Sequence, residues 1–289
     1  MDAPAPPPLA ETPLTIPARD GYALSALAIE PSAPTGALLF ASGTGFPKEF
    51  YAPLARFLAQ RGHAVLLFDY RGIGGSAPAS LRGFAADMSD WALRDMPGAL
   101  DALAARHPSL PLRWLGHSFG GQVVGVVPGI ERCVRIATVA TSIGRWQDQR
   151  APRKYGAALW WHVVGPLDLA TKGYAARNAI WQGKPLPAGV FRQWKRWCAS
   201  KRYFAIDVGG ALGDGYFDRL REPIRALCFR DDWIATPANV AALHALYPRP
   251  GVQSTWLAPR DVGVPRIDHE GAFLRGNAAV WPHISALLE

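Results

Sequence analysis

Long apolar runs, paired cysteines and a basic leader are all missing from this sequence of 289 residues. No stretch approaches the roughly 18 uninterrupted apolar residues that a membrane-spanning helix needs; the densest runs have strand length. The opening Met1-Asp2-Ala3-Pro4-Ala5-Pro6-Pro7-Pro8 has neither a basic start nor an apolar stretch and does not read as a secretory signal. It reads as a flexible, extended lead-in over residues 1–11. Only three cysteines occur, Cys133, Cys198 and Cys228, widely spaced and in no Cys-x-x-Cys pair, which argues against a disulfide framework or a zinc site. The expectation is a soluble, reduced, cytoplasmic protein that uses no metal or other cofactor.

What is present is apolar mass: 49% of residues are hydrophobic and 19% charged, enough for a sizeable core, as one domain with a large insertion or as two. The net charge of +8 is unevenly placed. Residues Thr141 to Leu220 hold 13 Lys and Arg against five Asp, whereas the rest of the chain holds 18 of each sign. The same segment carries six of the eleven tryptophans: Trp146, Trp160, Trp161, Trp181, Trp194 and Trp197. A basic, aromatic segment raises nucleic-acid binding, but it contains no recognised nucleic-acid module, so no such partner is expected.

Along the chain, Pro13–Pro17 and Tyr22–Glu30 alternate as two strands joined at Arg19-Asp20-Gly21. Ala37–Ala41 is a short apolar run of the kind found in strands buried on both faces, and Ala64–Phe68, Leu112–Leu115, Val134–Val139, Ile224–Phe229 and Gln253–Leu257 read as further strands. Helical patterns at Glu49–Arg61, Trp91–Arg106, Ala238–Leu246 and Ala278–Leu288 alternate with them, which predicts parallel pairing under flanking helices. From Thr141 to Leu220 the alternation stops. Helical stretches there are broken by Gly165-Pro166, Gly183-Lys184-Pro185 and Val208-Gly209-Gly210, so 141–220 reads as an insertion between core segments 12–140 and 221–289.

In Gly116-His117-Ser118-Phe119-Gly120-Gly121, glycines stand two residues either side of a serine, between a buried strand and a helix. Such a turn lifts Ser118 to the carboxyl edge of the sheet with a helix N-terminus behind it; the bland alternative is a helix-capping serine. A serine hydroxyl needs a base to take its proton and a carboxylate to fix that base's tautomer. The base is expected at His269, in a loop after the last strand, rather than at His283 in the closing helix. His117 points the other way across the turn and has a structural role. Asp231 and Asp232 end the Ile224–Phe229 strand; Asp232 is the candidate, with Asp231 left as a loop or cap carboxylate. An oxyanion formed at Ser118 needs fixed donors, each worth about 3 kcal/mol. The amide of Phe119 is one. The loop Ser42-Gly43-Thr44-Gly45 supplies the other, at Thr44 or, failing that, Gly45.

These residues, with Asp69-Tyr70-Arg71-Gly72-Ile73-Gly74-Gly75-Ser76, resemble the α/β-hydrolase superfamily, most closely its bacterial serine aminopeptidase-like and monoglyceride lipase-like hydrolases. The resemblance runs from about residue 12 to the end outside the insertion. It implies an α/β-hydrolase fold, a mostly parallel sheet flanked by helices with a helical lid, and a triad of Ser118, Asp232 and His269. The implied reaction is hydrolysis of a carboxylic ester or thioester through an acyl-enzyme. Acyl transfer, peptidase action, or a non-catalytic ligand-binding relative would share the fold. One departure stands out: Ser42 occupies the place where many relatives have histidine in His-Gly. The expected partner is a small-molecule acyl substrate. Trp160, Trp161 and Trp194 either line its pocket or form the core of the insertion, and the insertion's basic residues either face solvent or attract an anionic substrate.

Overall fold

A computed structural model describes residues 8–220, 222–248 and 251–289. Residues 1–7 of the expected lead-in lie outside the described residues; the remainder is not a lead-in, because strand β1 (Leu9–Pro17) already pairs from Leu9 with β2 (Ala23–Pro31), Leu9 opposite Pro31. Strand β3 (Gly36–Ala41) follows, then helix α1 (Ala52–Ala59), entered through a 3-10 turn at Lys48–Tyr51, and β4 (His63–Phe68). Both strands are buried along their whole length, which is why the sequence shows them as unbroken apolar runs.

The next helix begins earlier than its apolar pattern. Asp87 and Asp90 form a reciprocal capping box that starts α2 (Met88–Asp90), and a π turn (Trp91–Asp95) carries it into α3 (Met96–Arg106). Then come β5 (Leu112–His117), α4 (Phe119–Gln122) and β6 (Arg135–Val139). The inserted segment contains α5 (Arg153–Leu159), α6 (Gly165–Lys172), the two-residue strands β7 (Tyr174–Ala175) and β8 (Leu186–Pro187), and α7 (Ala188–Ala199). The chain returns through β9 (Ile224–Phe229), α8 (Pro237–His244), β10 (Val252–Leu257) and α9 (Trp281–Ala286).

The expected break at Gly165-Pro166 does not occur. A π turn at Trp160–Val164 joins α5 to α6, and Pro166 falls in the first turn of α6. The wider turn relieves the clash between a proline ring and the carbonyl four residues back. The helix ends instead at Gly173, whose φ of 84° supplies the left-handed cap.

The eight-stranded sheet has the order β1-β2-β4-β3-β5-β6-β9-β10; β1, β2 and β4 pair antiparallel and every other neighbouring pair is parallel. Leu38, Phe40 and Leu67 pack on one face beneath Leu54 and Leu58 of α1 and Ile284 of α9. Leu39, Leu66 and Phe68 pack on the other beneath Leu100 of α3 and Phe119 of α4, and Trp161, Phe191 and Trp197 of the inserted segment extend that layer. Fully burying each such side chain contributes about 1.5–3 kcal/mol. From β3 the chain crosses first to β4 on one side and then to β5 on the other, so the loops that leave β3 and β5 part in opposite directions. A crevice opens at the carboxyl ends of strands where the order reverses in this way.

Candidate active site

Ser118 sits in that crevice because its neighbours leave the backbone no alternative. A Cβ at Gly116 would overlap the Gly120 carbonyl, and a Cβ at Gly120 would overlap the Ala41 carbonyl on β3. The close approach lets the Ser118 amide donate to Val139 O (3.2 Å) and the Gly120 amide to Ser42 O (3.1 Å). Ser118 itself takes φ 47°, ψ −114°, a conformation costly for any residue with a Cβ and held here by the packing around it.

Asp232 follows β9 and is fully buried. Its Oδ1 accepts the amides of Ile234 (2.7 Å) and Ala235 (2.8 Å), which orients the carboxylate so that Oδ2 accepts His269 Nδ1–H at 2.8 Å. The opposite ring nitrogen, Nε2, then carries a lone pair, and Ser118 Oγ lies 3.1 Å from it. Burial favours the neutral imidazole, but the charge and hydrogen bond of Asp232 outweigh it and hold the His269 ionisation above the ordinary 6.5. A hydroxyl, a basic imidazole and a buried carboxylate in series can move a proton off Oγ.

The loop carrying His269 is fastened from two sides. Asp231 Oδ2 accepts the amides of Ile267 (2.8 Å) and Asp268 (3.0 Å). Asp268, at φ 60°, accepts Arg153 of α5 at 2.7 Å, with Arg266 3.5 Å away. His283 is exposed on α9.

His117, fully buried, joins three loops. The Gly43 amide donates to Tyr51 Oη (2.9 Å), Tyr51 Oη–H donates to His117 Nδ1 (2.7 Å), and His117 Nε2–H donates to the His269 carbonyl (3.1 Å). Burial pushes the His117 ionisation well below the ordinary value, and for the neutral ring this is the one arrangement of protons that satisfies all three bonds. Tyr70 Oη–H meanwhile donates to Ser42 O, so the Asp69–Ser76 motif also braces this loop. With Gly43 engaged, the amides of Thr44 and Gly45 are left free of acceptors among the described residues, as is that of Phe119 at the start of α4. Thr44 lines the cavity over Ser118 and His269; Gly45 does not.

The cavity measures about 590 Å³. Its far wall is a cluster of four tryptophans: Trp160 stacks on Trp181 (centroids 5.0 Å, 19°) and both meet Trp194 edge-on, while Trp161 meets Trp194 at 4.9 Å. All four line the cavity while packing on one another. Of the basic residues between Thr141 and Leu220, Arg153 alone lines it, paired with Asp268. A wider hollow beside Arg230, Trp256 and Pro259 contains none of these groups. Among the described residues no cluster of His, Cys, Asp or Glu could hold a metal ion, and all three cysteines are free.

The structure thus brings Ser118, His269, Thr44, Trp160, Trp161 and Trp194 to one cavity, with Asp232 buried behind His269 and Phe119 following Ser118 at the start of α4. Sequence reasoning missed Trp181, the fastening by Asp231, Asp268 and Arg153, and the partners of His117. Trp181 had a signal, the tryptophan density of the segment; the others depend on contacts across 36 to 152 positions that no local pattern carries.

A serine aminopeptidase S33 family model matches residues 32–161. A Variovorax paradoxus protein named as a carbamate hydrolase, RutD, is 34% identical over 116 residues, so the match spans 40% of each chain. Among solved structures, a Pyrococcus furiosus esterase superposes with a TM-score of 0.59 at 17% identity, over 97% of this chain and 92% of the other. A soluble variant of Saccharomyces cerevisiae monoglyceride lipase, solved with a substrate analogue, reaches 0.62 at 14% identity, over 98% and 95%. The esterase domain of a Rhodothermus marinus protein reaches 0.56 at 19% identity, over 96% of each chain.

Proposed function

We propose that this chain, an α/β-hydrolase, is a serine hydrolase that cleaves a carboxylic ester or thioester of a small-molecule acyl substrate through an acyl-enzyme on Ser118. The observation that carries the reading is the unbroken series Ser118 Oγ, His269, Asp232, opening on a cavity beside two free amides. Ser118 Oγ attacks the substrate carbonyl as its proton passes to His269 Nε2, and the carbonyl oxygen, now negative, is held by the amides of Phe119 and Thr44. His269 then returns the proton to the leaving oxygen or sulfur. Water attacks the acyl-Ser118 ester, gives its proton to His269, and releases the acid and the free serine. Asp232 keeps the imidazole in the required tautomer and stabilises it when charged.

The tryptophan wall favours an apolar acyl group. The cationic character of the inserted segment points away from the cavity: the one basic residue it contributes there already has a carboxylate, which favours a neutral substrate over an anionic one. The inserted segment, residues 141–220, acts as a lid over the cavity at Ser118. Acyl transfer or peptide cleavage would use the same residues and differ only in the attacking or leaving group.

A fluorophosphonate probe tests the reading directly. The wild-type chain is expected to label and Ser118→Ala to remain unlabelled, and a panel of esters and thioesters of increasing acyl length then ranks the substrates. Labelling that survives Ser118→Ala would place the nucleophile elsewhere and end this proposal.

A further inference from the structure

The helix running from Arg153 through the π turn to Lys172 is apolar on two opposed sides. One side carries Gly156, Ala157, Trp160 and Trp161 to the cavity wall. The other holds Tyr155, Leu159, Val163 and Leu167 in solvent, 64%, 47%, 54% and 60% exposed. From Tyr155 to Leu167 the chain contains no Asp, Glu, Lys or Arg. Residues four apart drift about 40° around a regular α-helix at each step. The wider π turn at Trp160–Val164 takes up part of that drift and keeps the four side chains in one row. Single exposed apolar residues are ordinary on a protein surface; a contiguous row of four on one helix is not.

The charges at the ends of the row share one sign. Arg150 and Lys154 stand at its start, and Arg82 reaches its far end, where it donates to the Thr171 carbonyl at 2.7 Å. None of the three has a carboxylate partner among the described residues. The one acid on the helix, Asp168, is buried and already engaged by Lys172 Nζ (2.7 Å) and the Ala176 amide (3.0 Å). An apolar row fringed by uncompensated cations, in the segment that holds the chain's whole excess of positive charge, fits the interface of a negatively charged bilayer: apolar side chains enter the acyl boundary and the cations meet the headgroups.

We propose that this face of the α5–α6 helix is a docking surface for anionic lipid bilayers. A second copy of the chain is a poorer occupant, because joining two such faces brings fringes of the same sign together. The docking is peripheral, since no helix among the described residues is long and apolar enough to cross a membrane. The proposal is independent of the hydrolytic reading, because neither the row nor its cationic fringe lines the cavity.

The test is co-sedimentation of the full chain with vesicles of phosphatidylcholine alone and of phosphatidylcholine mixed with phosphatidylglycerol. Preferential binding to the mixed vesicles is expected, weakening as salt rises. The combined variant Leu159→Ser, Val163→Ser, Leu167→Ser should lose about ten-fold or more of that binding while keeping its hydrolysis of a soluble ester. Arg150→Glu with Lys154→Glu leaves the apolar row untouched and should also weaken binding, so the test stands even if the serine variant folds poorly. Absence of wild-type binding to phosphatidylglycerol vesicles, or equal binding by the charge-reversed variant, overturns the proposal. So does a concentration-dependent dimer that the serine variant abolishes without any vesicle binding, which would assign the row to a second copy. Absence of ester hydrolysis by a wild-type chain that does bind vesicles would strike the proposed reaction and leave the docking surface standing.

Discussion

The sheet edge that carries Ser118 and the inserted segment that faces it are built on different principles. At the edge, position is set by backbone against backbone: Gly116 and Gly120 admit no Cβ, and Ser118 is pinned at positive φ between β3 and β6. In the insertion, position is set by side chains: four tryptophans lean on one another, and Gly156 of α5 has nothing within 4 Å of where a Cβ would stand. The outer chain balances its charges at 18 of each sign, while the insertion holds the whole excess of +8. A scaffold with these two halves can alter the cavity wall without disturbing the Ser118–His269–Asp232 series.

The largest expected effects fall on the rigid half. Ser118→Ala and His269→Ala should each reduce kcat on a p-nitrophenyl ester by about 10⁴-fold or more, and the double variant should be little worse than either. Losses that multiply would mean the two side chains do not act as a unit. Next comes the pair of neighbouring acids. Asp232→Asn should cost about 10³- to 10⁴-fold in kcat by disturbing the tautomer of His269, whereas Asp231→Asn keeps an acceptor for the Ile267 and Asp268 amides and should be mild. The pH profile sharpens this. His269 accepts a proton only when neutral, and its ionisation is raised, so kcat/KM should climb with pH along one limb centred above 6.5. In the residual activity of Asp232→Asn the limb should move down; an unmoved midpoint would detach it from the His269–Asp232 pair.

Stability separates the halves more sharply still. Gly120→Ala should destabilise by about 3 kcal/mol or more in denaturant unfolding, because its Cβ meets the Ala41 carbonyl and neither backbone can yield. Trp181→Ala is expected to raise KM for longer acyl esters by about ten-fold with kcat little changed, since the wall it removes contacts the acyl group alike in ground and transition states. An equal fall in kcat would place the wall in the chemistry. Smallest is Gly156→Ala, the same substitution as at Gly120 with the opposite sign: a gain of about 0.5–1 kcal/mol from helix propensity in open space.

The same division explains what could be read from the sequence. Strands buried on both faces advertise themselves as apolar runs, and the close approach of Gly116 and Gly120 leaves a visible mark because only one residue type fits. Asp232 and His269 were legible as candidates through chain order and strand ends, and the structure sets them 2.8 Å apart while Asp231 holds the Ile267 and Asp268 amides instead. The insertion was legible only as composition. Its continuous helix hid behind Gly165-Pro166, because a π turn leaves no mark in residue spacing that a proline would not override. The start of β1 at Leu9 was likewise masked by the proline-rich opening, since an edge strand tolerates proline and needs little apolar content.

The hydrogen bonds from Gly43 through Tyr51 and His117 to the His269 carbonyl also impose an order in time. Strands β3 to β6 can pair while the last third of the chain is still being synthesised, but until the loop after β10 arrives, His117 has no acceptor for its Nε2 proton and water must stand in. The closing contact spans 152 positions. Docking of that loop is therefore a desolvation event around the candidate site, and a nascent chain that lacks the loop should hold its paired strands with a wet, unreactive Ser118.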